Sequence, residues 1–152
     1  MDDRYDCLKI ENQLCFPLYV ASKEIVRKYK PLLDILNLTY TQYIAMMVLW
    51  EKKEVTVSEL GKALFLDSGT ISPLIRKLQE KGYVDLSNDK SDERITHVIL
   101  SEEGLSLREK ALRVPEQIGS CIHLNTEDAL NLYRILYQII SDLTGEENRY
   151  DK

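Results

Sequence analysis

Apolar positions recur at helical spacing near the start of the chain. From Leu14 to about Lys30 they fall three or four residues apart, at Leu18, Tyr19, Ile25, Val26 and Tyr29. Pro17 fits this helix only in the first turn, because a proline deeper in a helix removes a backbone hydrogen bond. The pattern predicts a first helix that begins close to Cys15 and ends at Pro31.

Two capping boxes mark the next helices. Thr39 is followed three residues later by Gln42, and Thr56 is followed at the same spacing by Glu59. In this arrangement each side chain satisfies a backbone N–H of the first turn. We therefore expect a largely apolar core helix that extends to Trp50, and a short helix after Thr56.

The stretch from Asp67 to Gly82 combines one apolar stripe with polar faces. The apolar side chains share a helical face: Ile71, Leu74, Ile75 and Leu78. The other faces carry small polar residues first and basic residues later: Ser68, Thr70, Ser72, Arg76 and Lys77. Pro73 is awkward in this helix, so either the regular helix begins near Thr70 or it bends at Pro73.

A β-hairpin is predicted after this helix. Gly82 is a helix stop, and residues 83–87 and 95–100 alternate or are continuously apolar, as strands are. The segment from Asn88 to Arg94 between them is wholly polar. Arg94 therefore lies at the tip of the predicted hairpin.

Two more helices are predicted beyond the hairpin. Ser101 and the two glutamates after it suit a helix N-terminus, and the helical pattern extends from about Glu102 to Gly119. The last helix begins after Thr126 and carries a broad apolar stripe: Leu132, Ile135, Leu136, Ile139, Ile140 and Leu143. A stripe of this width on a terminal helix requires a partner. The predicted fold is mainly α with a small β-hairpin wing, the winged helix-turn-helix arrangement.

Length and cysteine content narrow the class of protein. A chain of 152 residues fits one domain with a substantial core. No apolar run approaches the roughly 20 residues that span a bilayer, and the acidic start is not signal-like, so we expect a cytosolic protein with no membrane partner. The three cysteines include no Cys-x-x-Cys pair. They are buried apolar residues, metal ligands or redox groups rather than a disulfide framework.

The charge balance does not by itself indicate a nucleic-acid partner. The chain has 20 basic and 25 acidic residues, whereas a nucleic-acid binder is usually basic. The segment from Leu66 to Arg94 is also slightly acidic. Any basic surface must therefore be assembled by folding or by dimerisation.

Local geometry nevertheless favours DNA binding. Short side chains such as Ser68, Thr70 and Ser72 can approach base edges and phosphates at a helix start. Pro73 is counted with these predicted DNA-binding residues. Arg76 and Lys77 would add phosphate contacts. At the wing tip a long, permanently charged arginine can enter a narrow minor groove, and Asp92 could hold Arg94 in one rotamer by paired hydrogen bonds. The alternative is an ordinary solvated helix and turn.

Several segments resemble the MarR family of winged-helix regulators, and the likeness covers nearly the whole chain. They are Asp67–Leu78, Glu80–Val84, Asp92 with Arg94, and Leu100–Gly104. A second, more specific set is similar to the organic-hydroperoxide-resistance branch of that family: Asn12–Tyr19, Tyr29 and Leu38–Tyr43.

The resemblance implies a homodimer that represses genes by binding double-stranded operator DNA. Residues 1–37 and 102–152 would form the helical dimerisation region, and residues 38–101 the winged-helix DNA-binding region. One winged helix per subunit would read half of a near-palindromic operator. No cofactor and no enzymatic activity are implied, and an organic hydroperoxide would be the effector.

The resemblance also assigns a peroxide-sensing site. Cys15 matches the reactive cysteine of the branch, Tyr29 and Tyr40 match tyrosines that the opposite subunit lends to the thiolate, and Tyr19 matches a third tyrosine nearby. A thiolate attacks peroxide, and a helix N-terminus with two phenolic donors stabilises that anion. Phe16 and its apolar neighbours suit an organic hydroperoxide. On residues alone, a small buried hydrophobe is the commoner interpretation of a lone helical cysteine such as Cys15, and the surrounding family match reverses this preference.

Cys121 matches a second cysteine found in some members of the branch. There it condenses with the oxidised N-terminal cysteine of the other subunit, so a two-cysteine sensor is implied, in which an intersubunit disulfide forms. The alternatives are that Cys121 is a spectator or that a small thiol reacts in its place. Cys7 is interpreted as a spectator near the N-terminus.

Three other functions use the same residues. Cys121 and His123 with Cys7 or His97 could form a metal site across a dimer, but their spacing is a weak signal and we expect no metal. A regulator of this fold could instead bind a small aromatic ligand between its two regions. A small thiol peroxidase would use Cys15 but would have no use for the polar helix face or for Arg94.

Overall fold

The computed structural model describes residues 3–146, which form seven α-helices and three β-strands after two short 3-10 helices at Asp3–Leu8 and Ile10–Asn12. The elements are α1 (Cys15–Asp34), α2 (Tyr40–Lys52), β1 (Glu54–Thr56), α3 (Val57–Leu64), α4 (Ser68–Glu80), β2 (Val84–Asn88), β3 (Thr96–Leu100), α5 (Glu102–Ala111), α6 (Arg113–Gly119) and α7 (Thr126–Thr144). The fold is mainly α with a small β-hairpin wing, as the sequence predicts.

Both capping boxes are confirmed. The Thr39 hydroxyl accepts the Gln42 N–H while Gln42 Oε1 accepts the Thr39 N–H, and the same reciprocal pair joins Thr56 and Glu59. The hydrogen bond to Thr56 lowers the pKa of the Glu59 carboxyl. These local pairs set the starts of α2 and α3.

The prediction that Pro31 ends the first helix is wrong. Helix α1 continues through Pro31 to Asp34, although the proline has no N–H to donate to the carbonyl of Arg27. Leu33 and Leu36 are both buried, and the Leu38 N–H donates to the Leu33 carbonyl oxygen at 3.0 Å. Packing of this last turn against the core outweighs the lost hydrogen bond.

Pro73 neither delays the start of helix α4 nor ends it. Helix α4 begins at Ser68, because Asp67 is the N-cap and its carboxylate accepts the Thr70 N–H at 2.8 Å. The helix continues through Pro73 to Glu80. A start near Thr70, one of the two predicted alternatives, is therefore excluded.

The single helix predicted from Glu102 to Gly119 is divided at Leu112 into α5 and α6. Pro115, in the first turn of α6, has no N–H for the carbonyl of Ala111, four residues earlier. The Leu112 N–H donates to the Glu109 carbonyl oxygen, three residues earlier, at 3.4 Å, so the regular bond to the fourth residue back is interrupted there. The break at Leu112 therefore lies about one turn before Pro115.

The wing is part of a three-stranded antiparallel sheet with the strand order β1-β3-β2. Strands β2 and β3 match the predicted hairpin to within one residue, and β1 was not predicted. Val98 in the central strand pairs with Val55 on one side and Leu86 on the other, and it is completely buried. The sheet thus ties the wing to the start of α3.

A close approach between α5 and the wing completes the core. The Trp50 indole N–H donates to the Gly104 carbonyl oxygen at 2.9 Å, which joins α2 to α5. A Cβ atom added at Gly104 would overlap the Tyr83 carbonyl oxygen and the Leu100 side chain. Only glycine allows this contact.

The chain forms two compact units, one up to Glu116 and one from Gln117. The first holds most of the buried core, whose fully enclosed side chains include Leu33, Met46, Leu49, Leu60, Leu78, Val84 and Val98. The second contains α7, none of whose described residues is buried. Between residues 3 and 146, no helix is long and apolar enough to cross a membrane.

We expect the substitution Gly104→Ala to lower the free energy of unfolding by roughly 1–3 kcal/mol, because the added methyl group overpacks a closed contact. Denaturant unfolding at a fixed protein concentration measures the loss. Gly119→Ala is the matched control, since a Cβ there meets nothing within 4 Å, and it should leave stability unchanged or slightly higher. Equal effects of the two substitutions would contradict the packing account.

Candidate nucleic-acid interface and thiol site

The polar face of α4 is open to solvent. Its apolar stripe, Ile71, Leu74, Ile75 and Leu78, is buried as the periodicity predicts. The six predicted DNA-binding residues of this helix are all exposed: Ser68, Thr70, Ser72, Pro73, Arg76 and Lys77. Small side chains therefore stand near the helix start, and the two cations lie a turn further along.

The far end of α4 is anchored to the start of α2. Lys81 donates to the Asn37 carbonyl oxygen at 2.7 Å and to Gln42 Oε1 at 2.9 Å. Gln42 is buried, and burial lowers the pKa of the Lys81 ammonium, with a further contribution from Lys77. Sequence patterns predicted the capping role of Gln42 but gave no signal for Lys81.

The wing tip carries the paired hydrogen bonds that were predicted for Asp92 and Arg94. The guanidinium donates from Nε and Nη2 to the two carboxylate oxygens, both at 2.9 Å, and the Arg94 backbone N–H adds a third bond at 3.0 Å. The pair lowers the pKa of the Asp92 carboxyl and raises that of the Arg94 guanidinium. The Arg94 side chain is 90% exposed, so it is held in one direction while facing solvent.

Sequence reasoning, which considered His97 as a possible metal ligand, missed a second cluster in the wing. His97 Nε2 lies 3.0 Å from Asp89 Oδ2, and its Nδ1 lies 2.9 Å from Glu54 Oε1. Glu54 lies on the unpredicted strand β1, so no pattern brought these three side chains together. The hydrogen bond to Asp89 is the largest cause that raises the pKa of His97.

Cys15 is the first residue of α1 and is exposed, at the helix start where it was expected. Leu14, at the N-cap, provides no side-chain hydrogen bond to the first turn. Phe16 is exposed beside the thiol, and Tyr19 lies exposed one turn later with the Lys23 ammonium 5.6 Å from its ring centroid. The thiol therefore stands at an uncapped helix N-terminus among exposed apolar side chains.

Tyr29 and Tyr40 form a pair within one chain. Their ring centroids are 4.9 Å apart, and Tyr43 extends the cluster at 5.9 Å from Tyr29. Burial, followed by the proximity of Tyr40, raises the pKa of the Tyr29 phenol, and the pKa of Tyr43 is raised for similar reasons. Tyr29 and Tyr43 are therefore held in the neutral form, in which a phenol donates a hydrogen bond.

The tyrosine pair is distant from Cys15 of the same chain. Tyr29 lies 14 positions after Cys15 along α1, which is a rise of about 21 Å along the helix. No phenol can reach across that distance. The structure thus builds the two halves of the predicted thiol site but does not join them within one chain.

A cavity of about 250 Å³ lies beside the tyrosine pair. It is lined by Val26, Arg27, Lys30, Leu33, Asp34, Leu38, Thr39 and Tyr40. Its apolar surface comes from α1 and the segment before α2, while the charged side chains of α1 include the ion pair of Lys30 and Asp34. An apolar molecule with a polar end would fit this lining.

The other two cysteines are also free and exposed. Cys121 follows the end of α6, and its thiol lies 3.4 Å from the Gln117 carbonyl oxygen. Cys7 lies in the first 3-10 helix, with its thiol 3.7 Å from the Arg4 carbonyl oxygen. Among the described residues, no group of three His, Cys, Asp or Glu side chains is arranged to hold a metal ion.

The chain is similar in sequence to known transcriptional regulators. The family model for the SarA/Rot transcriptional regulators matches residues 27–111. The organic hydroperoxide resistance transcriptional regulator of Bacillus subtilis is 41% identical over 143 residues, which are 94% of this chain and 97% of that protein. SarZ of Staphylococcus haemolyticus, an HTH-type transcriptional regulator, is 36% identical over 133 residues, 88% and 90% of the two chains.

Solved structures of AbfR, a protein of Staphylococcus epidermidis, have the same fold. Reduced AbfR bound to DNA superposes with a TM-score of 0.76 at 28% identity, over 94% of this chain and 99% of that one. Overoxidised AbfR bound to DNA gives 0.75 at 28% identity, over 92% and 98%, and disulfide-formed AbfR gives 0.63 at 29% identity, over 94% and 97%. The chain belongs to the MarR and SarA/Rot family of winged-helix transcriptional regulators, on the branch of the organic hydroperoxide resistance regulators.

Proposed function

We propose that the protein is a cytoplasmic, redox-sensing repressor. It binds operator DNA as a homodimer when reduced and is released when an organic hydroperoxide oxidises Cys15. The observation that carries this proposal is the distance of about 21 Å along α1 between Cys15 and the Tyr29–Tyr40 pair. A thiol and its phenolic donors that cannot meet within one chain form a complete site when a second copy supplies the missing half.

The exposed apolar surface supports a homodimer. Leu14, Phe16, Leu18, Ile25 and Val26 are exposed on the first helix or next to its start, and Leu130, Leu132, Tyr133, Ile135 and Leu143 are exposed on α7. Apolar surface on this scale marks a protein interface rather than a solvated face. In a two-fold dimer each contact occurs twice, so each subunit lends Tyr29 and Tyr40 to the Cys15 of its partner.

Two winged helices related by that two-fold axis would read a near-palindromic operator. The start of α4 enters the major groove, where Ser68, Thr70 and Ser72 meet base edges or phosphates and Arg76 and Lys77 meet phosphates. Arg94 reaches the adjacent minor groove from the wing. Because the chain is acidic overall, affinity depends on these few cations rather than on a broad basic surface.

The sensing reaction uses the exposed thiol of Cys15. The thiolate sulfur attacks one oxygen of the hydroperoxide, the O–O bond breaks, and the departing alkoxide takes a proton and leaves as an alcohol. Cys15 is left as a sulfenic acid. The phenols of Tyr29 and Tyr40 donate hydrogen bonds to the thiolate before the attack, and Tyr19 with Phe16 lines the approach of the organic group.

We further propose that Cys121 resolves the sulfenic acid. Its sulfur attacks the Cys15 sulfur of the partner subunit, the S–O bond breaks, and the oxygen leaves as water with the thiol proton. The AbfR comparisons support disulfide formation as the step that alters the fold. The chain matches both DNA-bound forms of AbfR at TM-scores of 0.75–0.76 and the disulfide form at 0.63.

The cavity beside Tyr40 supports a second candidate, a regulator released by a small aromatic ligand. Its volume of about 250 Å³ and its apolar lining would admit such a molecule. The two candidates differ in their dependence on Cys15. A ligand acts equally well without the thiol, whereas an oxidant does not.

The substitution Cys15→Ser should abolish release by oxidant and preserve DNA binding. A duplex selected from a random-sequence library on the reduced protein serves as the probe. One equivalent of cumene hydroperoxide should release the wild-type protein and Cys7→Ser, the matched control, because only Cys15 starts the reaction. Release of the Cys15→Ser variant by the same dose would contradict the sensing role, and its release by a phenolic ligand would favour the second candidate.

The substitution Cys121→Ser should abolish an oxidised covalent dimer. Non-reducing electrophoresis after treatment with hydroperoxide should show a dimer band in the wild-type protein and in Cys7→Ser, because the proposed disulfide joins Cys15 to the partner's Cys121. The variant should remain a monomer band and carry a sulfenic or more oxidised Cys15 by mass spectrometry. A wild-type protein that stays monomeric would refute resolution by Cys121.

The substitution Arg94→Ala should weaken operator binding by about 1–3 kcal/mol, because it removes the minor-groove contact. Binding is measured by anisotropy with reduced protein at one fixed salt concentration. Lys90→Ala removes the same charge from the same loop without disturbing the pair of Asp92 and Arg94, and it should cost less. Wild-type affinity of the Arg94→Ala variant would exclude this residue from the interface.

A further inference from the structure

A single carboxylate organises the wing loop, residues 89–95. Asp89 Oδ1 accepts hydrogen bonds from the Ser91 N–H at 2.8 Å, the Ser91 hydroxyl at 2.6 Å and the Asp92 N–H at 3.2 Å. These bonds lower the pKa of Asp89 well below its usual range. Since Asp92 in turn holds Arg94, the direction of the exposed guanidinium depends on the position of Asp89.

The second oxygen of Asp89 is held by His97, and the imidazole is shared with Glu54. The two ring nitrogens lie 3.0 Å from Asp89 Oδ2 and 2.9 Å from Glu54 Oε1. A carboxylate only accepts hydrogen bonds, and a neutral imidazole has only one N–H to donate. Both contacts can therefore exist together only while His97 is protonated, and deprotonation turns one of them into a repulsion between lone pairs.

The surroundings of His97 also favour its positive charge. Asp89 from the wing loop and Glu54 from β1 face the ring directly. Glu59 of α3 feels the His97 charge more weakly, and Lys52 lies near Glu59. The residues paired with His97 in the sheet, Thr56 and Ser87, are uncharged. Negative groups thus predominate around the ring.

We propose that His97 is a positioning residue through which pH controls operator affinity. The imidazolium ties Asp89, and with it the wing loop and Arg94, to Glu54 on the body of the domain. The neutral ring releases one of the two carboxylates and leaves the loop less ordered. This inference rests on the proposed DNA-binding role of Arg94.

The sign of the effect follows from the direction of the pKa change. The folded wing raises the pKa of His97 above its ordinary value of 6.5. The stabilisation is therefore complete below that ordinary value and is lost as the pH rises through the raised value. Operator binding should be tightest in mildly acidic solution and should weaken toward alkaline pH.

Binding profiles of reduced protein against pH test the proposal. The probe is the library-selected duplex at constant ionic strength. Between about pH 6 and pH 8.5 the wild-type protein should lose roughly threefold to tenfold in affinity, the range expected for partial loss of one charged hydrogen bond. His97→Gln should give a profile without this loss. His123→Gln, which changes the other histidine of the chain, should retain the wild-type profile, whereas a His97→Gln profile parallel to wild type would overturn the proposal.

A nuclear magnetic resonance titration of the histidine rings gives a readout independent of DNA. The His97 ring should titrate above its ordinary range, and Asp89→Asn should move that titration to lower pH because it removes the carboxylate whose hydrogen bond raises the pKa of His97 most. A His97 titration that Asp89→Asn leaves unchanged would overturn the proposal. If no duplex is bound at any pH, the proposed function fails, and the ring titration still decides whether His97 and Asp89 form the coupled pair.

Discussion

One buried amide oxygen connects the start of α2 to the end of α4. Gln42 Oε1 accepts the Thr39 N–H at 3.1 Å, which caps α2 next to Tyr40, and it also accepts Lys81 Nζ at 2.9 Å beyond the end of α4. The Gln42 residue is only 3% exposed, so loss of either bond would leave a polar group poorly satisfied in the interior. The start of α2 and the end of α4 are therefore held together by one side chain.

The wing exposes one cation, Arg94, on a protein that is acidic overall. Its acidic side chains are used in local contacts: Asp89 orders the loop and Asp92 orients Arg94. Strand β3 lies between the two other strands and fixes the hairpin to the domain. Charge is thus arranged residue by residue, and the net charge of -5 says little about the surface that meets a ligand. Cys15 and the Tyr29–Tyr40 pair are arranged differently, since they lie far apart within one chain.

Sequence patterns predicted those elements that short-range chemistry determines. Both capping boxes, the Asp67–Gly82 stripe and the strands of the hairpin depend on residues a few positions apart, and all were confirmed. Two failures concern longer distances: packing of Leu33 carries α1 through Pro31, and β1 exists only because it pairs with β3. A third is local, since the break at Leu112 accompanies Pro115. The position of Cys15 at a helix start could be predicted from periodicity, whereas the importance of Tyr29 and Tyr40 came from family resemblance. The contacts of His97 and Lys81 could not be predicted, since their partners are brought together only by the tertiary fold.

The exposed helix α7 makes the stability of the regulator depend on its concentration. Its 19 residues bury no side chain in the single chain, and a helix of this length has little stability of its own in water. Its free energy must come from contacts between molecules, which makes folding dependent on concentration. A newly made chain that has not met a second copy carries an apolar segment open to proteases. The amount of assembled regulator should therefore rise more steeply than the rate of synthesis of the chain.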